Sequence, residues 1–262
     1  MIIQRRDFLK TIAVSSTGVL LSDYASADTT TKPEYTSAVG NKFNADGSVK
    51  SFAGNTIICH VPQQGEHAGY FGSLLDVYRE AQTFDFMRKI TLLPPSSYHM
   101  TVFEGANQKD RTPGLWPEGV PLDAAMEVCD QIVLDKLRTF KLDCELPFRM
   151  KIDPTQLTTF KSAATLKLVP LDDAENAKIR TVRARLSKHL GISAPGQETY
   201  GFHTTLGYQI RRFDTEEAKA FEIEWKRWVN DIAQKSPIIY LGAPEYCTFK
   251  DMYAFNRQTF LT

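Results

Sequence analysis

Two short segments constrain this chain more than any others: Tyr98-His99-Met100-Thr101-Val102 and Phe202-His203-Thr204-Thr205-Leu206. In each, large apolar residues flank a His-x-Thr triplet, and the composition reads as a strand. Side chains alternate faces along a strand, so residues two apart share a face. Each unit therefore presents an imidazole beside a hydroxyl on one side of a sheet. Tyr98 and Phe202, one step off, point the other way and read as core. Two such units facing each other across a groove would assemble two imidazoles and two hydroxyls.

The surrounding pattern supports two such units. The β-rich run at residues 55–61 reads as a buried strand, and residues 69–83 as a helix. Residues 104–121 hold Gly105, Pro113, Gly114, Pro117 and Gly119, a long loop of the kind that often carries function. Leu122, Met126, Cys129, Val133, Leu137 and Phe140 mark an amphipathic helix. Strands are expected around residues 146–152 and 164–171. A helix capped by Asp172 or Asp173 is expected to run to His189–Leu190 and stop at Gly191. After the second motif strand, Asp214 with Glu217 predicts a capping box, and Ala218, Phe221, Trp225, Val229 and Ile232 a buried helical stripe. Residues 238–241 and 246–255 read as strand. Each half thus has a helix, a loop, a His-x-Thr strand and a longer amphipathic helix, a repeat of pattern and not of letters.

With the segment Gly54-Asn55-Thr56-Ile57-Ile58-Cys59-His60 and the two complete motifs, residues 52–260 resemble the 2H phosphoesterase superfamily, named for its two His-x-Ser/Thr motifs. That superfamily includes the bacterial RNA 2′,3′-cyclic phosphodiesterases once called 2′-5′ RNA ligases. The resemblance is closer to an uncharacterised exported subgroup than to the RNA enzymes. It implies an α+β bilobal fold: two pseudo-symmetric lobes whose antiparallel sheets line a central cleft, with helices outside.

The chemistry of the four motif side chains agrees with this implication. Free imidazole titrates near pH 6.5, so it serves as base or acid close to neutrality. Hydrolysis of a cyclic phosphodiester, of the 2′,3′-cyclic nucleotide or RNA-end type, needs one of each. His99 and His203 are the candidate catalytic pair. Thr101 and Thr205 are candidate donors to the phosphate oxygens. Arg149, Lys151, Tyr208 and Arg211 are further candidates for phosphate or base contacts, with surface charge as the plainer reading of the three cations. Trp116 reads equally as a base-stacking residue or a loop anchor. Tyr253 and Phe255 read as core, His60 as an edge residue, His67 as exposed, and His189 as a cation on a helix C-terminus. No metal or other cofactor is required. Two alternatives stay open: a non-catalytic binder of phosphorylated ligands in the same cleft, and a metalloprotein using His99 and His203. The second has a poor ligand set, because no Cys or carboxylate motif accompanies the histidines.

Charge limits the ligand. The 262 residues hold 31 basic and 31 acidic side chains, which provides no field for gripping a long nucleic acid. A small phosphoester or an oligonucleotide end is the expected substrate, and a monomer the expected state.

At the N-terminus, Gln4-Arg5-Arg6-Asp7-Phe8-Leu9-Lys10 resembles a twin-arginine motif. A mildly apolar run at residues 11–21 and Ala25-Ser26-Ala27, an A-x-A cleavage pattern, follow it. Residues 1–27 are therefore expected to be a signal peptide read by the twin-arginine export machinery, with a periplasmic or otherwise exported destination and no stable membrane anchor. Residues 28–50 then form an extended or flexible lead-in, and residues 51–262 a single domain. Cys59, Cys129, Cys144 and Cys247 lack metal-site spacing. Buried thiols are the plainer reading; disulfides remain open in an oxidising compartment.

Overall fold

The structure, a computed structural model, describes residues 34–153, 155 and 163–262. The expected signal peptide and the start of the lead-in lie outside them. In chain order the elements are β1 (Gly54–His60), α1 (Gly69–Ala81), β2 (Ile90–Leu92), β3 (His99–Asn107), α2 (Met126–Leu137), β4 (Phe148–Ile152), β5 (Ala163–Pro170), α3 (Asp173–Leu190), β6 (His203–Gln209), α4 (Thr215–Lys235), β7 (Ile239–Leu241), β8 (Glu245–Phe249) and β9 (Asn256–Phe260). This is the expected α+β class, with two antiparallel sheets ordered β3-β1-β8-β9 and β2-β6-β5-β4-β7.

Each half does run helix, His-x-Thr strand, helix: α1-β3-α2, then α3-β6-α4, although α2, with 12 residues, is not longer than α1, with 13. The sheets are not built one from each half, however. Strand β2 comes from the first half but pairs with the second motif strand, Ile90 opposite Gln209. Strands β8 and β9 come from the end of the chain and extend the first sheet, Ile58 lying opposite Glu245. At the β2–β6 crossing Gly207 is required by space, because a Cβ there would lie 2.8 Å from the Thr91 carbonyl oxygen.

The helix ends follow local chemistry. The Asp172 side chain accepts from the Glu175 amide at 2.9 Å, and Gly191 ends α3 in the left-handed conformation at φ 66°. Asp214 and Glu217 form the reciprocal capping box at the start of α4. Some boundaries differ. The run expected as strand over residues 246–255 ends at Phe249 and turns before β9, and α1 ends at Ala81. Helix α2 starts at Met126, and Leu122 sits outside it in a turn, 47% exposed. Extended backbone at Ala125 separates the two, so Leu122 does not join the buried stripe of Met126, Cys129, Val133 and Leu137.

The larger difference concerns the lead-in. Its described part is a run of turns folded onto the domain. Tyr35 bridges to Arg211, the Thr36 amide donates to the Ile210 carbonyl at 3.1 Å, and the Thr36 hydroxyl donates to the Gln209 carbonyl. Phe43 is fully buried, its ring 5.1 Å from that of Tyr208. The polar composition of this segment reflects its turns; Tyr35, Thr36 and Phe43 each meet residues distant in sequence.

Cys59, Cys129 and Cys247 are buried free thiols and Cys144 a half-buried one. No described helix is long and apolar enough to cross a membrane. Because Phe43 carries the apolar anchoring of the turn segment, Phe43→Ala is expected to destabilise the domain by about 3–5 kcal/mol, the range for deleting a buried phenylalanine. Denaturant unfolding of the two proteins measures this; a loss below about 1 kcal/mol would mean that the segment is not integral to the core.

Candidate active site

The first sheet ends in β3, an edge strand, and β6 lies between β2 and β5 in the second. Along β3 the alternation is strict at the motif: Met100 and Val102 are fully buried, while His99 and Thr101 are half-buried. Strand β6 repeats this, with Thr204 and Leu206 buried and His203 and Thr205 half-exposed. His99, Thr101, His203 and Thr205 line one cleft of about 390 Å³.

Both imidazoles are oriented by the same local device. Nδ1 of His99 donates to the Ser97 carbonyl at 2.7 Å, and Nδ1 of His203 donates to the Gly201 carbonyl at 2.9 Å. A carbonyl only accepts, so each Nδ1 carries a proton and Nε2 remains for other chemistry. The acceptor is two residues upstream in both cases, where the chain enters the strand.

His99 is hemmed in by two rings. Its ring packs edge-on against Phe255 at 4.3 Å and 6.4 Å from the His60 ring. Burial pulls its pKa down to about 4, and the nearby charges of His60, His203 and Lys42 push the same way, against the opposing bond to Ser97. At neutral pH the His99 Nε2 therefore holds a lone pair.

Tyr200, which the sequence reading passed over, joins the two motifs. Its hydroxyl bonds to the Thr101 side chain, and burial raises its pKa above the ordinary phenol value, so it stays protonated. Its ring lies 5.9 Å from that of His203. Arg180 Nη2 donates to the Tyr200 carbonyl at 2.8 Å. The buried Arg183 guanidinium stacks 4.2 Å from the Tyr200 ring centroid and donates to the Val102 carbonyl of β3. An aromatic three residues before the motif was the available signal.

Of the four additional candidates, Tyr208 lines the cleft. Arg149, Lys151 and Arg211 do not line it. Arg149 is held by Glu175 at 2.8 Å and lies 3.8 Å from Asp172; Glu175 is 3% exposed and binds Lys178 as well. Arg211 faces Glu34 at 3.7 Å and the Tyr35 ring. Lys151 lies on β4, two residues from Arg149 on the same face. Strand alternation placed Arg149 and Lys151 together but could not say which face met the cleft. Trp116 is a loop anchor: it is 2% exposed and its indole donates to the Pro121 carbonyl at 3.2 Å. Phe255, read as core, is a cleft wall in the β8–β9 connection.

The remaining histidines are engaged elsewhere. His60 Nδ1 donates to Glu245 at 3.0 Å, His67 stacks on Tyr240 at 4.5 Å, and His189 donates to the Lys136 carbonyl. Among the described residues, His60, Glu245 and Cys247 bring ligand-type atoms within 4.8 Å of one another. Arg257 lies 3.4 Å from the same Glu245 oxygen that His60 meets. A guanidinium there already supplies the positive charge, which makes this a poor cation site.

His99 is expected to titrate near pH 4 by NMR of its ring protons. Its folded pKa lies below the free value of 6.5, so the stability it contributes is complete above that pH and is lost as pH falls toward 4. Titration at 6.5, or the same acid slope of unfolding in His99→Gln, would contradict this.

The family model 2H-phosphodiest, a domain of unknown function (DUF1868), matches residues 42–161, which hold the first motif but not the second. This is consistent with the 2H phosphoesterase resemblance. The fold is similar to the crystal structure of a conserved protein of unknown function from Agrobacterium tumefaciens, with a TM-score of 0.77 and 23% identity over 88% of this chain and 95% of that one. A protein structure from Thermus thermophilus aligns at a TM-score of 0.37 and 13% identity, over 79% of this chain and 96% of that one. No curated protein matches.

Proposed function

We propose that this protein is a metal-independent phosphoesterase that opens a cyclic phosphodiester, of the 2′,3′-cyclic nucleotide or RNA-end type, by two-histidine acid–base catalysis. One observation carries the reading: two imidazoles on strands of different sheets line one cleft, each with Nδ1 committed to a backbone carbonyl and each accompanied by a threonine hydroxyl two residues on.

The depressed pKa of His99 suits it to the role of base. His99 Nε2 takes a proton from water as the water oxygen bonds to phosphorus. The bond from phosphorus to one ribose oxygen breaks, and His203 Nε2 donates its proton to that oxygen. The Thr101 and Thr205 hydroxyls hydrogen-bond to the non-bridging oxygens and stabilise the charge that builds on them. An anionic phosphate bound beside His99 favours its protonated form, which strengthens it as a base in the complex.

Turnover of the four 2′,3′-cyclic nucleotides with EDTA present is the test. Activity is expected in the wild type, with a loss of about 10²–10⁴-fold in His99→Ala and in His203→Ala. The kcat/KM profile is expected to be bell-shaped, its acid limb well below pH 6.5. Tight binding of these nucleotides without turnover would instead support a non-catalytic phosphoester binder. Activity that EDTA abolishes would remove the metal-independent mechanism.

The same reading includes export through the twin-arginine machinery, on the strength of Arg5-Arg6 and Ala25-Ser26-Ala27. Cell fractionation is expected to recover a chain beginning at Asp28 outside the cytoplasm, and Arg5→Lys with Arg6→Lys to retain the full-length precursor inside. Full-length protein in the cytoplasm of the wild type would overturn it.

A further inference from the structure

The cleft contains a cation that neither His-x-Thr strand supplies. Lys42 stands in the turn segment before β1 and lines the cleft with the four motif side chains. Its backbone is fixed: its amide donates to the Ala38 carbonyl and its carbonyl accepts from Lys50, both at 2.9 Å. The next residue is the buried Phe43.

The ammonium is held but not neutralised. Nζ donates to the Tyr208 hydroxyl at 3.3 Å. It lies 5.2 Å from the centroid of the Tyr208 ring and 5.3 Å from that of Phe52. Among the described residues, no carboxylate forms an ion pair with Lys42. Two carboxylates share the cleft, Asp110, which accepts from Asn107 at 3.0 Å, and Glu104 on the exposed side of β3. A lysine ammonium has three donors, and here one meets a neutral phenol while aromatic faces displace its water. The partner that best completes such a group is an anionic oxygen.

We propose that Lys42 is a phosphate-binding residue of the cleft, meeting an anionic oxygen of the substrate and selecting ligands with a formal negative charge on phosphorus over neutral phosphotriesters. The proposal rests on the phosphoesterase reading for its substrate, but anion binding can be tested without turnover. Lys42 thereby adds charge neutralisation to the hydroxyl donors of Thr101 and Thr205. It also acts on His99, which faces His60 from β1, His203 from β6 and Lys42 from the turn segment.

The test uses Lys42→Met, which keeps the apolar stem between the rings, and Lys42→Arg, which keeps the charge. Inorganic phosphate is titrated into each full-length protein while the ring signals of His99 and His203 are followed by NMR. Lys42→Met is expected to weaken phosphate about 10- to 100-fold, the range for losing one charge-assisted hydrogen bond, and Lys42→Arg to restore most of it. Lys42→Met is also expected to raise the titration point of His99, and Lys42→Arg, which keeps the charge, to leave it in place. Unchanged phosphate affinity in Lys42→Met, or no phosphate binding by the wild type, overturns the proposal. If the wild type binds phosphate through Lys42 yet turns over no cyclic nucleotide, the phosphoesterase reading fails and the Lys42 assignment stands. Normal turnover together with normal phosphate affinity in Lys42→Met removes the Lys42 assignment alone.

Discussion

The structure depends on strand register at β3 and β6. Each motif alternates between side chains with no place except the core and side chains that face the cleft. Met100 and Val102 are fully buried on one side of β3, and Leu206 is buried on β6. A slip of one residue would exchange the two sets, putting apolar groups in the cleft and imidazoles in the core. Burying a Val, Leu or Met side chain contributes roughly 1.5–3 kcal/mol, which holds the β3 register through Met100 and Val102 and the β6 register through Leu206. The position of the imidazoles is thus fixed by the burial of their neighbours.

Orientation is a separate problem, solved by backbone. Each histidine bonds to the carbonyl two residues before it, at 2.7 and 2.9 Å. Chain entry into the strand sets that geometry, so the device recurs without sequence identity between the halves. The environments then diverge. Phe255, His60 and Lys42 surround His99, whereas Tyr200 stands beside His203. A pair with near-identical local geometry thus sits in two different surroundings.

Long-range contacts complete the cleft. Arg183 of α3 connects the Tyr200 ring to the backbone of β3, and Tyr200 connects to Thr101. Strands are also shared between the halves, since β2 extends the sheet of β6 while β8 and β9 extend that of β3. The cleft walls come from the turn segment, β1, both motif strands, β8 and the β8–β9 connection. Separating the chain at its midpoint would leave each sheet without strands it needs.

The local patterns in the chain determined the motif strands, the caps at Asp172, Gly191 and Asp214, and which of His99, Thr101, His203 and Thr205 share a face. Each depends on residues a few positions apart, where alternation and hydrogen bonding to the nearest backbone decide the outcome. The resemblance to the 2H phosphoesterases added the two-sheet arrangement. Tertiary structure alone decided the rest. Arg149 could be assigned to a strand face, but only the fold shows that this face meets Glu175 and not the cleft. Lys42 sits in a polar, turn-rich stretch with no periodicity to distinguish it, and becomes a cleft residue because Phe43 and Thr36 anchor that stretch to β6 and its C-terminal end. Partners more than a hundred residues apart leave no local signature, because the free energy that joins them comes from burial in the finished fold.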